Sequence, residues 1–319
     1  MGIAVEVVMT MMILLCIGYF IYDKPWAGET AVTMISKLLL NVCLPCMLLY
    51  SMVNSVSHDQ LISFGILLPI TVLLIVILFY FSLFIAKLFK VSKSRHGTFA
   101  TMGSISNTIF LGLPVCTMIF GFESVPLVML GFIAGSIVTF TLGLSGIMKD
   151  ATYLGEQNAN LTLKDQLRNM FLNPIMVSLF VGLLLNLLNV KYFPSLNTAL
   201  GYISNMTTPL SLLFIGMYMR TMNPKEFIPD KDSILVLIIR FIIAPLFAYI
   251  FYTGFTLIGV NIDQYAIDVL VIQVACCVLT MTSIFAIEYK ADGKFATKTV
   301  AISNLIFLFF LPIYIMVLV

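Results

Sequence analysis

The sequence predicts an all-α polytopic membrane protein of ten transmembrane helices, arranged as a 5+5 inverted repeat with crossed, broken helices 4 and 9. Hydrophobic residues make up 61% of the 319 residues and charged residues only 10%, whereas soluble domains average roughly 45–50% and about 25%. The mean hydropathy is +1.07. This composition excludes a water-soluble enzyme, a disordered chain and a nucleic-acid-binding protein. The net charge of +2 implies no polyanionic partner.

Ten apolar segments, called spans 1 to 10, are each long enough to cross ~30 Å of hydrocarbon as a helix of about 20 residues. They lie at about 3–22, 31–53, 61–86, 97–120, 124–148, 171–190, 199–219, 233–258, 264–288 and 296–318. We expect span 1 to be a helix of the mature protein and not a signal peptide, because no basic residue precedes it and Glu6 interrupts it.

The basic residues concentrate on one side of this topology. Fifteen of the 17 Lys and Arg residues lie in or beside the odd-numbered loops, and the other two are Lys191 and Arg240. The positive-inside rule then predicts that the odd-numbered loops are cytoplasmic and that both termini are extracytoplasmic. The short loops and the lack of a targeting segment favour the cell membrane of a bacterium.

The ten spans divide into two repeats of five. An odd number of spans per repeat forces the second repeat to be inverted, which is a signature of secondary transporters. We expect three parts: 1–150, a cytoplasmic loop at 151–170, and 171–319. An N-x-x-x-P motif supports the division, because Asn41 and Pro45 of span 2 recur as Asn205 and Pro209 of span 7. These four are candidate structural or coupling residues.

Span 4 contains helix-breaking residues beside polar ones. Pro114 lacks an N–H and clashes with the preceding turn, and Gly112 weakens the helix further. We therefore expect a break at 112–114 that faces protein or a cavity and not lipid. The amides that open the following half-helix would form an anion site, with Asn107 and Thr108 able to hydrogen-bond a carboxylate. A proline kink without a ligand is the alternative that stays open.

Span 9 is rich in small and hydroxyl residues at the corresponding position of the second repeat. We expect it to break symmetrically near 276–280, so that the two breaks cross at the membrane midplane with a carboxylate between them. The candidate substrate contacts there are Cys276, Cys277, Thr280, Thr282 and Ser283.

Arg240 is the basic residue that lies well inside a span. It either snorkels or packs structurally, or it takes part in substrate or ion coupling. Since no carboxylate is evident at mid-membrane, proton coupling lacks a candidate residue. Na⁺ coupling through carbonyl and hydroxyl oxygens and uniport also stay open. The cysteines are expected to be packing residues, and neither a metal nor a cofactor is expected.

The run from Asn107-Thr108 to Gly112 and Pro114 resembles the N-T-x-x-x-G-x-P segment of the auxin efflux carrier family, which includes bacterial malate and malonate permeases and plant PIN-type auxin exporters. Further matches cover nearly the whole chain. They are Asn41 with Pro45, Asn173 with Pro174, Gly182 with Asn186, Thr208 with Pro209, Arg240 with Pro245, and Glu288 with Asp292.

The resemblance implies a scaffold of spans 1, 2, 6 and 7, usually dimeric, and a moving domain of spans 3–5 and 8–10. It implies secondary active, elevator-type transport of small organic anions such as malate, malonate or an auxin-like carboxylate, with Asn107 as the carboxylate contact. Cys277 departs from the family, which often has a proline there. An anion channel or a membrane sensor on the same scaffold stays open. An enzyme is not expected, because convergent acid, base or metal ligands are not found.

Overall fold

The computed structural model describes residues 2–54, 58–155, 168, 172, 174–221 and 228–318. These residues form helices and one isolated β-bridge. Within them, five helices are long and apolar enough to cross a membrane, and four shorter helices are also apolar. The prediction of an all-α polytopic membrane protein is therefore confirmed at this level, whereas the ten-span inverted repeat stays a prediction. Most of the expected loop 151–170, and Asn173, lie outside the described residues.

The helices are labelled in chain order. They are α1 Gly2–Ile21, α2 Gly28–Asn54, α3 His58–Leu88, α4 His96–Ser104, α5 Thr108–Phe120, α6 Phe122–Tyr153, α7 Pro174–Leu187, α8 Pro194–Arg220, α9 Lys231–Leu257, α10 Gln264–Ala275, α11 Met281–Glu288 and α12 Gly293–Leu318. Spans 4 and 9 each correspond to two of these helices, α4 with α5 and α10 with α11, and every other span overlaps one.

Three helices widen into a π-helical turn that is separated from a following proline by one residue. The pairs are Leu39–Cys43 with Pro45 in α2, Thr108–Gly112 with Pro114 in α5, and Ile239–Ile243 with Pro245 in α9. A proline has no N–H to donate to the preceding turn, and a wider turn lets the chain pass its ring without ending the helix. At these sites the proline therefore modifies the helix and does not break it.

The chain separates into two compact units. The first comprises 1–66, 109–129 and 171–223, and the second comprises 67–108, 130–170 and 224–319. In the first unit α1 and α8 approach so closely that a Cβ at Gly18 or Gly216 would overlap the backbone of Leu213 or Leu15. Small residues permit such close packing between membrane helices. The division into scaffold and transport helices stays a prediction.

In the second unit α4 packs against α6 with the same closeness, because a Cβ at Gly97 would overlap the backbone of Gly146. Phe99 of α4, Val236 of α9 and Phe295 of α12 are fully or almost fully buried in one apolar cluster. This cluster packs α4 against α9 and α12.

A group of ion pairs joins the ends of the same three helices. The Arg95 guanidinium contacts Asp232 at 2.9 Å and Asp292 at 2.7 Å, and it lies 3.5 Å from Asp230. Burial would lower the pKa of Arg95, but its hydrogen bonds to Asp292 and Asp232 outweigh burial and raise that pKa. Partial burial would raise the pKa of Asp230. Hydrogen bonds from Ser233 and the charges of Lys298 and Arg95 outweigh this and hold the pKa below its ordinary value.

Candidate substrate site at two interrupted helices

Spans 4 and 9 are each interrupted by a short non-helical stretch. The stretch in span 4 covers residues 105–107, between α4 and α5, and the stretch in span 9 covers 276–280, between α10 and α11. The second interruption lies at the residues where the sequence predicts it. The first lies several residues earlier than the expected break at 112–114, and that expectation was wrong.

The chemistry of the local sequence accounts for the position of the interruption in span 4. Gly112 has helical dihedral angles (φ −62°, ψ −43°), and Pro114 follows the π-helical turn inside α5. The earlier residues Ile105, Ser106 and Asn107 favour a non-helical backbone, because a β-branched side chain restricts the helix and Ser and Asn side chains compete for its backbone groups. Asn107 therefore lies within the interruption and not one or two turns before it.

The two interruptions pair through their backbones. The amide of Asn107 donates to the carbonyl of Cys277 at 2.8 Å, and the amide of Leu279 donates to the carbonyl of Ile105 at 3.3 Å. Ser106 and Val278 form an antiparallel bridge between these bonds. Buried backbone groups that leave a helix need new partners, and each interruption supplies partners for the other.

The Asn107 side chain strengthens the pairing and forms the polar centre of the site. Its Nδ2 donates to the Thr280 hydroxyl at 3.0 Å. Asn107 and Thr108 are buried, as are Cys276 and Cys277, which are fully inaccessible. Because a hydroxyl both accepts and donates, Thr280 can accept from Asn107 and still donate its own proton to a carboxylate.

Two further predicted contacts lie in the first turn of α11. The Ser283 hydroxyl donates to the Thr280 carbonyl at 2.8 Å. The Thr282 hydroxyl is buried, and among the described residues it has no hydrogen-bond partner. Ser283 is therefore engaged by the helix itself, and Thr282 contributes a buried hydroxyl that the described structure does not satisfy.

Arg240 lies directly against both interruptions and does not snorkel, since its side chain is fully buried. Its Nε donates to the Cys276 carbonyl at 2.9 Å, and a terminal nitrogen donates to the Gly103 carbonyl at 3.4 Å. The other terminal nitrogen contacts the Val274 carbonyl. These carbonyls lie at or just beyond the C-terminal ends of α4 and α10, where helix dipoles favour a cation.

Arg240 is the charged side chain of the site. Within the described part of the chain, no carboxylate forms an ion pair with Arg240. The N-terminal end of α11, which carries partial positive charge, also lies at the interruption of span 9. Backbone carbonyls compensate the Arg240 charge in part. Because no carboxylate of the described residues pairs with it, the arrangement favours an anionic guest over a cationic one. The described residues contain no group of His, Cys, Asp and Glu side chains that could hold a metal ion.

Gln273 is a polar residue of the site that the sequence analysis missed. It lies in the last turn of α10 and is 2% exposed, and neither atom of its amide has a partner among the described residues. It lines a cavity of about 20 Å³ together with Ser106, Thr108, Thr71 and Tyr252, which is room for about one water molecule. A signal was present in the sequence, since an amide deep inside an apolar span is a functional candidate by default.

Six further predicted residues lie in the first compact unit. They are Gly112, Pro114, Asn41, Pro45, Asn205 and Pro209. Asn41 is exposed and donates to the carbonyl of Lys37 in its own helix at 2.8 Å. Asn205 is also exposed, and Pro209 lies inside the continuous helix α8. A coupling role for these residues stays a prediction.

An integral membrane protein with apolar helices, two of its spans interrupted and paired at a polar centre, has the features of the membrane transporter class. The chain belongs to the membrane transport protein family, the auxin efflux carrier family, which it matches over residues 3–315. This is a transporter family and not an enzyme family.

Two relatives are similar along almost their whole length. An uncharacterized transporter of Methanocaldococcus jannaschii is 25% identical over 311 residues, which is 95% of this chain and 94% of the relative. An uncharacterized transporter of Methanothermobacter thermautotrophicus is 22% identical over 315 residues, 98% of each chain. The protein is therefore similar to transporters whose names carry no substrate.

Proposed function

We propose that the protein is a secondary active carrier of small organic anions and that a mono- or dicarboxylate binds at the two interruptions. The observation that carries the proposal is the buried charge of Arg240, which donates to carbonyls of both interrupted spans and forms no ion pair with a carboxylate of the described residues. An anion that enters beside it gains electrostatic stabilisation in a medium of low dielectric constant. Malate, malonate and an auxin-like carboxylate are the substrates that the family resemblance suggests.

In this proposal the substrate carboxylate accepts hydrogen bonds from the Asn107 amide and the Thr280 hydroxyl, which already contact each other at 3.0 Å. The first amides of α11 and the charge of Arg240 supply a positive field without a direct ion pair. Hydrogen bonds to a charged group are worth about 1.5–3 kcal/mol each. Such a site binds an anion without trapping it, and a carrier needs to release its substrate on the other side.

Elevator movement and a homodimer complete the proposal. An elevator requires one part of the chain to move as a body, and the separation of the chain into two compact units supports this. The dimer follows from the family resemblance alone. Size-exclusion chromatography with light scattering in detergent measures it, and a mass of one protomer would contradict it.

The test is counterflow of labelled substrate in proteoliposomes. Liposomes are loaded with unlabelled malonate, malate or indole acetate and then diluted into a trace of the labelled anion. We expect saturable accumulation of label for at least one of the three. Repeating the assay with a Na⁺ gradient, a pH gradient or neither distinguishes the two coupling ions from uniport.

The decisive variant is Asn107→Ala, for which we expect substrate affinity to fall about 10- to 100-fold, as the loss of a hydrogen bond to a charged group predicts. Asn261→Ala is the matched control, because Asn261 is an exposed asparagine between α9 and α10. Unchanged affinity in Asn107→Ala would remove Asn107 from the site. Rapid conduction without counterflow would support a channel and overturn the carrier.

A further inference from the structure

A second cavity of the second unit has a different character. It encloses about 450 Å³ between α3, α6 and the segment that leads into α4. Its wall is apolar where Phe79, Leu83 and Leu142 face it, and basic where Lys87, Lys93 and Lys149 line it. Its lining shares no residue with the cavity beside Gln273. It is therefore a separate cavity with a mostly apolar lining to which three lysines contribute.

The acidic residue of this cavity forms no ion pair with the lysines in the described part of the chain. Asp150 is 2% exposed, and its two oxygens accept from the amides of Gly97 and Thr98 at 2.8 and 2.7 Å. The Thr98 hydroxyl donates to it as well, at 2.8 Å. The carboxylate thus accepts its hydrogen bonds from the N-terminal residues of α4 and not from the lysines of the cavity.

The three lysines have no acidic partner among the described residues. All three are exposed, and none takes part in an ion pair there, whereas the nearby Arg95 contacts three aspartates. With three lysines and one aspartate in its lining, the cavity has an excess of positive charge, which favours an anion. The apolar residues beside the lysines can pack against a hydrocarbon chain.

We propose that this cavity binds an anionic phospholipid, with the phosphate between Lys87, Lys93 and Lys149 and the start of an acyl chain along Phe79, Leu83 and Leu142. The basic residues lie at the ends of α3 and α6, on the side that the positive-inside rule predicts to be cytoplasmic. Tyr153, which also lines the cavity, has the amphipathic ring typical of the membrane interface. The lipid would connect α3 to α6 and stabilise the second unit.

The test uses the full chain, delipidated in neutral detergent. Its unfolding temperature is measured with added phosphatidylglycerol, phosphatidylcholine or soluble glycerol phosphate, and native mass spectrometry counts the bound lipid. We expect phosphatidylglycerol alone to raise the unfolding temperature and to remain bound. An equal effect of phosphatidylcholine would overturn the proposal that the lysines select an anionic headgroup. An equal effect of glycerol phosphate would overturn the proposal that the ligand is a lipid and would indicate a site for a soluble phosphate.

The variants test the lysines directly. Lys93→Gln with Lys149→Gln should weaken phosphatidylglycerol binding about 25-fold, at about fivefold for each lysine near an anionic headgroup. Lys191→Gln is the control, since Lys191 is an exposed lysine of the first unit. Phosphatidylglycerol binding that is the same in the double variant and the control would overturn the proposal. Because lipid binding is measured without transport, the result is independent of the proposed carrier function.

Discussion

The guanidinium of Arg240 donates from Nε to the backbone carbonyl of Cys276 at 2.9 Å. A second nitrogen of the same side chain reaches the carbonyl of Gly103 at the end of α4. One side chain from α9 therefore ties the two interrupted spans together. It supplies hydrogen bonds to carbonyls near the ends of two half-helices, and its charge compensates the negative ends of their dipoles.

Replacing this side chain should damage the whole second unit. We expect Arg240→Met to lower the free energy of unfolding by at least about 3 kcal/mol, since it leaves several buried carbonyls without a donor. Arg240→Lys keeps the charge but loses the planar fork, and it should cost about half as much. Thermal unfolding in detergent measures both. Equal stability of Arg240→Met and the parent protein would show that the arginine does not hold the interruptions together.

Two threonines of span 9 offer a matched pair. Thr280→Val removes the acceptor of the Asn107 amide and should cost about 1 kcal/mol of stability and lower substrate affinity severalfold. Thr282→Val removes a buried hydroxyl that has no partner among the described residues, so it should be neutral or stabilising by up to about 1 kcal/mol. Unfolding temperature and counterflow are measured for each. A larger loss in Thr282→Val than in Thr280→Val would contradict the arrangement.

The closeness of α4 and α6 predicts the effect of one methyl group. Gly97→Ala would place a Cβ inside the backbone of Gly146, and we expect a loss of about 2–4 kcal/mol. Gly254→Ala is the control, because a Cβ at Gly254 in α9 meets nothing within 4 Å. An alanine there should stabilise the helix by about 0.5–1 kcal/mol. Similar unfolding temperatures for the two variants would refute this packing.

The ion pairs of Asp230 with Arg95 and Lys298 predict that the stability of the protein depends on pH. The pKa of Asp230 is held below its ordinary value of 3.8, so its stabilising effect is present above that value and is lost as the pH falls through its lowered pKa. Asp230→Asn should therefore be less stable than the parent protein at pH 7. The difference should shrink as the pH falls below about 4. Urea unfolding at pH 7 and pH 3 measures this, and a constant difference would exclude the ionised carboxylate as its source.

Much of the fold follows from local properties of the chain. The long apolar segments coincide with helices because a helix satisfies its own backbone groups in lipid. The interruption of span 9 was also predicted, because the run around Cys276 and Cys277 combines small and hydroxyl residues where the predicted repeat places a break. The interruption of span 4 was misplaced. Pro114 is the obvious helix breaker, yet a π-helical turn accommodates it.

The candidate site was predicted in part. Asn107 and Thr280 were named from their polarity and their place in the predicted repeat, and the structure brings them into contact. Gln273 was missed, although its amide lies deep in an apolar span. Nothing in the local sequence indicates that Ser303 supports the second interruption, where it accepts from the amide of Val278 at 3.2 Å.

The sequence by itself determined that this chain is a membrane protein and where its apolar helices lie, because hydropathy is a property of neighbouring residues. It also determined the family, because short motifs are likewise local. Only the tertiary structure decided where span 4 opens and what Arg240 binds. Those outcomes depend on hydrogen bonds between residues more than 30 positions apart, such as Arg240 with Cys276 and Asn107 with Cys277, and no local pattern encodes the partner of a backbone group that leaves its helix.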